Sequence, residues 1–159
     1  MGSWNYLECK GIKGNIYKMK LYSKSERSSF GYWFAHWCAF QIIALLSGLW
    51  RPKYLLHDVE KPWLRLFWKY KKVQKWHRAH NNHHLEYLVS HKISKFDFAG
   101  MVIDWECGRL TKEASPLNAK QYFGLEREKL LGLLGGDKTR PEYRAFNKNV
   151  AEILKNHFS

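Results

Sequence analysis

Seven of the eight histidines in this 159-residue chain lie between positions 36 and 91. The densest run is Trp76-His77-Arg78-Ala79-His80-Asn81-Asn82-His83-His84. Neutral imidazole is a ligand for zinc, iron, nickel and copper, and carboxylate partners extend the range to manganese and magnesium. Spacings of three and four place His77, His80 and His84 on one face of a continuous helix. If Asn81 and Asn82 break that helix, His83 and His84 turn inward instead. The plain alternative is a solvated helix locally enriched in histidine.

Three features outside the run bear on that choice. His57-Asp58 is an adjacent doublet after the apolar Tyr54-Leu55-Leu56, with Lys61 three residues on. Asp58 has two oxygens and can bridge two metals, while His57 binds one. His36 sits in an otherwise uncharged stretch, where a lone histidine is more often a satisfied core residue. Asp104 interrupts the apolar face of Met101, Val102, Ile103 and Trp105. A buried carboxylate must be paired or hold a metal, because an isolated buried ion costs several kcal/mol.

The elements that would position these groups read as helices. Ser28 or Ser29 can cap a helix running to about Leu46, ended by Gly48 and Pro52. A second starts near Pro52, and Pro62 suits a new first turn before Trp63, Leu66, Phe67 and Tyr70. A third covers Lys71 to His80, and Asn82 can cap a turn from His83 to Val89. Residues 97–112 are amphipathic with Asp97 as the expected N-cap. Later helices run near Asn118 to Leu134 and Tyr143 to His157, separated by Gly135 and Gly136. Residues 1–25 read as an irregular or weakly stranded arm broken by Gly11 and Gly14. The expected architecture is all-α: a single domain over 1–159, a bundle of about six helices with a short N-terminal arm, the chemistry in 30–112 and further helices in 113–159.

Composition bounds the partners. The formal net charge is +13, with basic clusters at Lys69, Lys71, Lys72, Lys75 and Arg78 and again near Lys10 to Lys24. Such a field attracts phosphate on nucleotides, nucleic acid or lipid head groups. The three cysteines, Cys9, Cys38 and Cys107, form no CxxC pair, so neither a disulfide framework nor a thiolate zinc knuckle is expected. With no signal-peptide pattern, a reducing cytoplasm is the expected home. Phe30 to Trp50 carries no Asp, Glu, Lys or Arg and is long enough to span a bilayer. His36, Gln41 and Ser47 interrupt it, so a buried core helix is expected rather than a membrane span. Gly132 to Gly136 lacks the Lys-Ser/Thr that a phosphate-binding loop needs.

The order His36, then His57-Asp58, then Asp104 resembles the His … His-Asp … Asp signature of the HD-domain metal-dependent phosphohydrolase superfamily. The blocks "LLHDVEK", "HRAHNNHH" and "MVIDW" are also similar to those of a small HD-like family of phages and bacteria. The resemblance covers about residues 30–112. It implies a compact HD-like bundle in which His36, His57, Asp58 and Asp104 hold a first divalent transition metal (Mn, Fe, Co, Ni or Zn). His80, His83 and His84, with Asp58 bridging, would hold a second; His77 is the spare and can exchange with His80. Lys61, Arg78 and Arg109 would face substrate phosphate, with Asp58, Lys61 and Arg78 acting in catalysis. The implied activity is hydrolysis of a small phosphoester, by default a nucleotide, through a metal-activated hydroxide. The same ligands would serve a di-iron oxygenase of HD type. A third reading is a basic nucleic-acid-binding module that stacks bases on Trp63, Trp68, Tyr70 and Trp76, although aromatic side chains at helical spacing are expected to pack inward.

Overall fold

The computed structural model describes residues 6–10, 16–91, 94–113 and 117–158, with side chains described from residue 21 onward. The fold is all-α apart from one N-terminal hairpin. Among the described residues there are seven α-helices: α1 Phe30–Leu46, α2 Glu60–Phe67, α3 Tyr70–His80, α4 Leu85–Ser90, α5 Lys95–Thr111, α6 Ala119–Leu133 and α7 Pro141–His157. The count is one above the expected six, and the helical turn expected after the Asn81-Asn82 break forms as α4. Where the arm is described it takes the stranded form: β1 Tyr6–Lys10 and β2 Ile16–Lys20 pair antiparallel, with Tyr6 opposite Lys20 and Lys10 opposite Ile16. Gly11 and Gly14 lie outside the described residues.

Helix α5 is the axis of the molecule. It buries side chains almost all the way round, from Asp97 through Trp105 to Thr111, as a helix must when it is packed on several sides. One side joins Phe146, Val150, Ile153 and Leu154 of α7, Leu130 of α6 and Leu85 and Leu88 of α4. The other side presents Ile103 and Cys107 to Ala39, Phe40, Ile43 and Ala44 of α1, with Tyr54 closing the cluster. Asp104 and His36 therefore face each other across the α1–α5 contact.

The helix ends follow capping chemistry. Ser29 caps α1 by accepting the Tyr32 backbone N–H at 3.1 Å. The N-cap of α5 is Ser94, not Asp97. Asp97 sits at the third helical position and completes a capping box, accepting from the Ser94 N–H and hydroxyl. Its other oxygen accepts from Lys53 and Asn82, each at 2.6 Å. Asp97 thus ties α5 to the segment carrying His57 and to the Asn-rich break. At the far end of α5, Tyr22 donates its backbone N–H to the Thr111 carbonyl at 3.0 Å and accepts from Glu113 at 3.1 Å.

Pro52–Leu56 is a 3₁₀ turn rather than an α-helix, and Pro62 falls in the first turn of α2. Gly135 and Gly136 both have positive φ (68° and 84°) and close α6 with the chain reversal glycine permits. Among the described residues no helix is long and apolar enough to cross a membrane. Helix α1 stops at 17 residues, and its polar interruptions have work inside the fold. Gln41, for example, donates to the Tyr54 carbonyl at 2.7 Å and accepts from the Trp50 indole at 3.0 Å.

Candidate metal centre

Between α1, the His57-Asp58 corner, α3, the α3–α4 turn and α5, side chains far apart in sequence converge on Asp58. This residue is 1% exposed and stands in the left-handed region, with φ of 60°. Aspartate tolerates that region better than most residues, but such backbone still costs about 1–3 kcal/mol and persists only where its surroundings fix it. The Asp58 carbonyl accepts from the Trp33 indole at 2.8 Å and from the Lys61 N–H at 3.0 Å. The result is a carboxylate held with one oxygen toward each of two groups of ligating atoms.

Around Oδ2 stand His36, His57 and Asp104. His57 Nε2 lies 3.6 Å from Asp58 Oδ2 and 3.6 Å from Asp104 Oδ1. His36 Nε2 lies 2.9 Å from Asp104 Oδ1 and 3.9 Å from Asp58 Oδ2. These separations match the edges of a coordination polyhedron with bonds of about 2.0–2.2 Å. Thr111 determines which nitrogen of His36 faces inward. Its hydroxyl donates to the Cys107 carbonyl at 2.7 Å, so its oxygen must accept from His36 Nδ1, 3.3 Å away.

Around Oδ1 stand His77, His83 and His84. His77 Nε2 approaches Asp58 Oδ1 to 3.1 Å and His83 Nε2 to 3.6 Å, in neither case with hydrogen-bond geometry. His77 is fully buried, and its Nδ1 is bonded to Glu60. Glu60 is itself held by the Asn81 amide at 3.0 Å. A carboxylate on one ring nitrogen orients the other toward a metal, the arrangement that commonly supports ligating histidines.

Five buried atoms here lack any hydrogen-bond partner: His57 Nε2, Asp58 Oδ1, His77 Nε2, His83 Nε2 and His84 Nε2. Buried polar atoms are nearly always satisfied, so each such atom needs an explanation. Five convergent ones, all good ligands, fit a metal ion. Their nitrogen and oxygen chemistry suits borderline and harder divalent metals. Every pair of ligating atoms within the sets His36–His57–Asp104, His57–Asp58–His83 and His77–His83–His84 lies within 4.8 Å.

Protonation agrees with ligation at His57, His84, Asp58 and Asp104. Burial depresses His57 to about 4 despite the opposing pull of Asp58 and Asp104. Burial, with His83 and His77 beside it, holds His84 well below its ordinary value. Burial alone would raise Asp58, but His57, Lys61, His77 and His83 together hold it well below the usual carboxylate range. The same contest at Asp104 is won by His36 and His57. Ionised Asp58 and Asp104 beside neutral His57 and His84 are the state a divalent metal requires. His77 is the exception: burial and Lys61 push it down, but Asp58 and Glu60 outweigh them and raise it, so a metal bound there would displace a proton.

The structure brings His36, His57, Asp58, His83, His84 and Asp104 together, but two expected residues stand elsewhere. His80 is exposed and outside the cluster. It closes α3, its Nδ1 turns back to the Trp76 carbonyl at 2.8 Å, and its ring stacks on Trp76 at 4.4 Å. His77, four residues after the buried Val73, takes the inward place. Arg109 pairs with Glu106 at 2.6 Å and does not line the cavity beside the cluster. Five residues beyond Asp104, it points about 140° away around the helix. Lys61 and Arg78 do line that cavity, and Lys61 is bonded to Asp58.

The cavity holds about 700 Å³, with His36, Asp58, His83, His84 and Asp104 in its wall beside the cations Lys61, Arg65, Arg78, Lys112 and Lys129. Sequence reasoning missed Glu60, Thr111 and Trp33, whose roles are to orient ligands. Only Glu60 carried a signal, as the second acidic group two residues after Asp58. The aromatic residues of α2 and α3 are not core, as their helical spacing suggested: Trp63 is 67% exposed, and Trp68 and Trp76 are half-buried in an edge contact.

Compared with protein-family models, with curated proteins and with solved structures, the chain matches none.

Proposed function

We propose that this protein is a metal-dependent phosphohydrolase acting on a small phosphoester, a nucleotide by preference. The observation that carries this reading is the set of five unpartnered ligating atoms around Asp58, opening onto a cavity walled by cations. The ligand order along the chain, which resembles the HD superfamily, supports the same reading.

His36, His57, Asp58 Oδ2 and Asp104 would hold one divalent ion, and Asp58 Oδ1, His77, His83 and His84 a second. When bound, two such ions supply Lewis acidity and a water acidic enough to serve as nucleophile near neutral pH. The chain's own residues do the rest. Asp58 would contribute one carboxylate oxygen to each position. Thr111 and Glu60 contact the Nδ1 atoms of His36 and His77 and so orient their rings with Nε2 toward the cluster. Lys61 and Arg78 stand in the cavity wall, where they can neutralise charge gathering on phosphoryl oxygens. The cavity is large enough for a nucleotide-sized molecule.

The test is metal analysis joined to a hydrolysis screen. Wild-type protein loaded with Mn, Fe, Co, Ni or Zn is offered mono-, di- and cyclic nucleotides, alongside Asp58→Asn. The expected result is bound metal and turnover in the wild type, with both lost in the variant. Metal bound but no ester cleaved, with oxygen consumed instead, would replace hydrolysis by the oxygenase reading.

One observation favours a different class. On α2 and α3, Trp63 and Phe67 are exposed, Lys72 lies 4.3 Å over the Trp68 ring, and Lys69, Lys71 and Lys75 are open to solvent. Aromatic faces among cations suit single-stranded nucleic acid. Salt-sensitive binding to an oligonucleotide, unchanged by Asp58→Asn, is the result that would support it.

A further inference from the structure

The 3₁₀ turn Glu26–Ser28 precedes α1 and forms part of the wall of the cavity that contains the metal-ligand cluster. Arg27 on this turn was not among the residues the sequence singled out. Two of its guanidinium nitrogens, Nε and Nη2, are buried and have no hydrogen-bond partner. A guanidinium stays charged throughout the accessible pH range, so burying these donors unpaired is costly and calls for an acceptor.

The neighbouring carboxylates do not answer that need. Glu26 accepts the backbone N–H and the hydroxyl of Ser23, at 2.9 and 2.8 Å. Glu126, which also lines the cavity, lies 3.6 Å from Lys129. Asp58 and Asp104 are engaged by their histidines and by Lys61. Arg27 lines the same cavity as His36, Asp58 and Asp104. Its charge is felt at Tyr32, where Asp104 and Asp58 are also felt, and Tyr32 stacks on His36 at 5.7 Å. Ser28, Ser29 and Phe30 line the same cavity, so the N-terminus of α1 opens there, and its first turn carries no acidic residue.

We infer that Arg27 is the oxyanion anchor of this cavity, using the Nε–Nη2 edge of its guanidinium to grip two oxygens of a substrate phosphoryl group. That edge presents two parallel N–H bonds, the fork that matches a tetrahedral oxyanion and that a lysine cannot reproduce. The inference rests on the proposed reading of this cavity as the substrate site, and it narrows the substrate to a molecule with an accessible phosphoryl group.

The experiment is calorimetric titration of the metal-loaded protein with inorganic phosphate, for wild type, Arg27→Gln and Arg27→Lys, with metal content measured in each. The expected result is phosphate binding by the wild type, at least tenfold weaker in Arg27→Gln and at least threefold weaker in Arg27→Lys, at unchanged metal content. Wild-type affinity in Arg27→Gln overturns the anchor, and so does a wild type that binds no phosphate. If Arg27→Gln does not fold, Arg27→Lys decides, since it keeps the charge and loses the fork; affinity equal to wild type again overturns the proposal. Phosphate binding that depends on Arg27 in a protein that hydrolyses no ester leaves the anchor standing and removes the hydrolase reading. Hydrolysis unaffected in Arg27→Gln, with unchanged phosphate affinity, does the reverse.

Discussion

At the scale of single residues, the site turns on the choice between His77 and His80. Both stand in the same histidine-rich run, three residues apart, and only one is buried against Asp58. His77→Ala should therefore lower metal content and His80→Ala should leave it at the wild-type level, as measured by elemental analysis of the purified proteins. Equal losses in the two variants would contradict the arrangement described. Glu60 offers a second test at this scale. It touches His77 Nδ1 and no substrate, so Glu60→Gln should keep the fold and weaken metal binding by roughly 10- to 100-fold, the usual cost of losing a carboxylate behind a ligating histidine. Competition against a chelator of known affinity reads this directly.

At the scale of elements, the start of α5 depends on Asp97. Its carboxylate accepts from Ser94, Lys53 and Asn82, and so joins the helix that carries Asp104 to the segments leading to His57 and His83. Replacing it with alanine removes a helix-capping interaction and leaves several donors unpaired, which should cost about 2 kcal/mol in denaturant unfolding. The loss should depend on pH. Burial opposes ionisation of Asp97, but Lys53 and Ser94 outweigh it and lower its pKa in the fold. The contribution is thus fully present above the ordinary aspartate range and disappears as pH falls through the lower folded value. The stability gap between wild type and Asp97→Ala should narrow in acid, and a constant gap from pH 7 to pH 3 would show that the charge of Asp97 is not what matters.

At the scale of the whole molecule, the cluster joins elements that pack through different parts of the core. His36 belongs to α1, His77 to α3, His83 and His84 to the turn before α4, and Asp104 to α5. A metal bound there would cross-link the fold and stabilise it by mass action. At free metal 100-fold above its dissociation constant the gain is about 2.7 kcal/mol. For a chain of this size that corresponds to a melting-temperature drop of roughly 5–10 °C on chelation. Thermal melts with metal, with chelator and with metal restored check it, and Asp58→Asn should show no such response.

The sequence alone carried the helical architecture, because apolar periodicity and a cap such as Ser29 act within a few residues of where they are written. It also carried His36, the His57-Asp58 doublet and Asp104 as candidate ligands, because a histidine or carboxylate set among apolar neighbours is costly unless it is used. Local signals misled where two residues compete for one role. Asp97 reads as an N-cap until Ser94, three residues earlier, takes that position and makes Asp97 its partner. The tertiary structure decided what depends on distance across the fold. It chose His77 over His80 through the burial of one face of α3, and it set Glu60 behind His77 and Thr111 behind His36. It also turned Arg109 onto Glu106 and left Arg27, on a turn of no evident importance in the sequence, in the wall of the same cavity with two buried donors unpartnered. Metal-ligand identity is written in residue type, but which ligands meet is fixed only when α1, α3 and α5 pack, because no spacing along the chain encodes a separation of 2.9 Å between residues as far apart as His36 and Asp104.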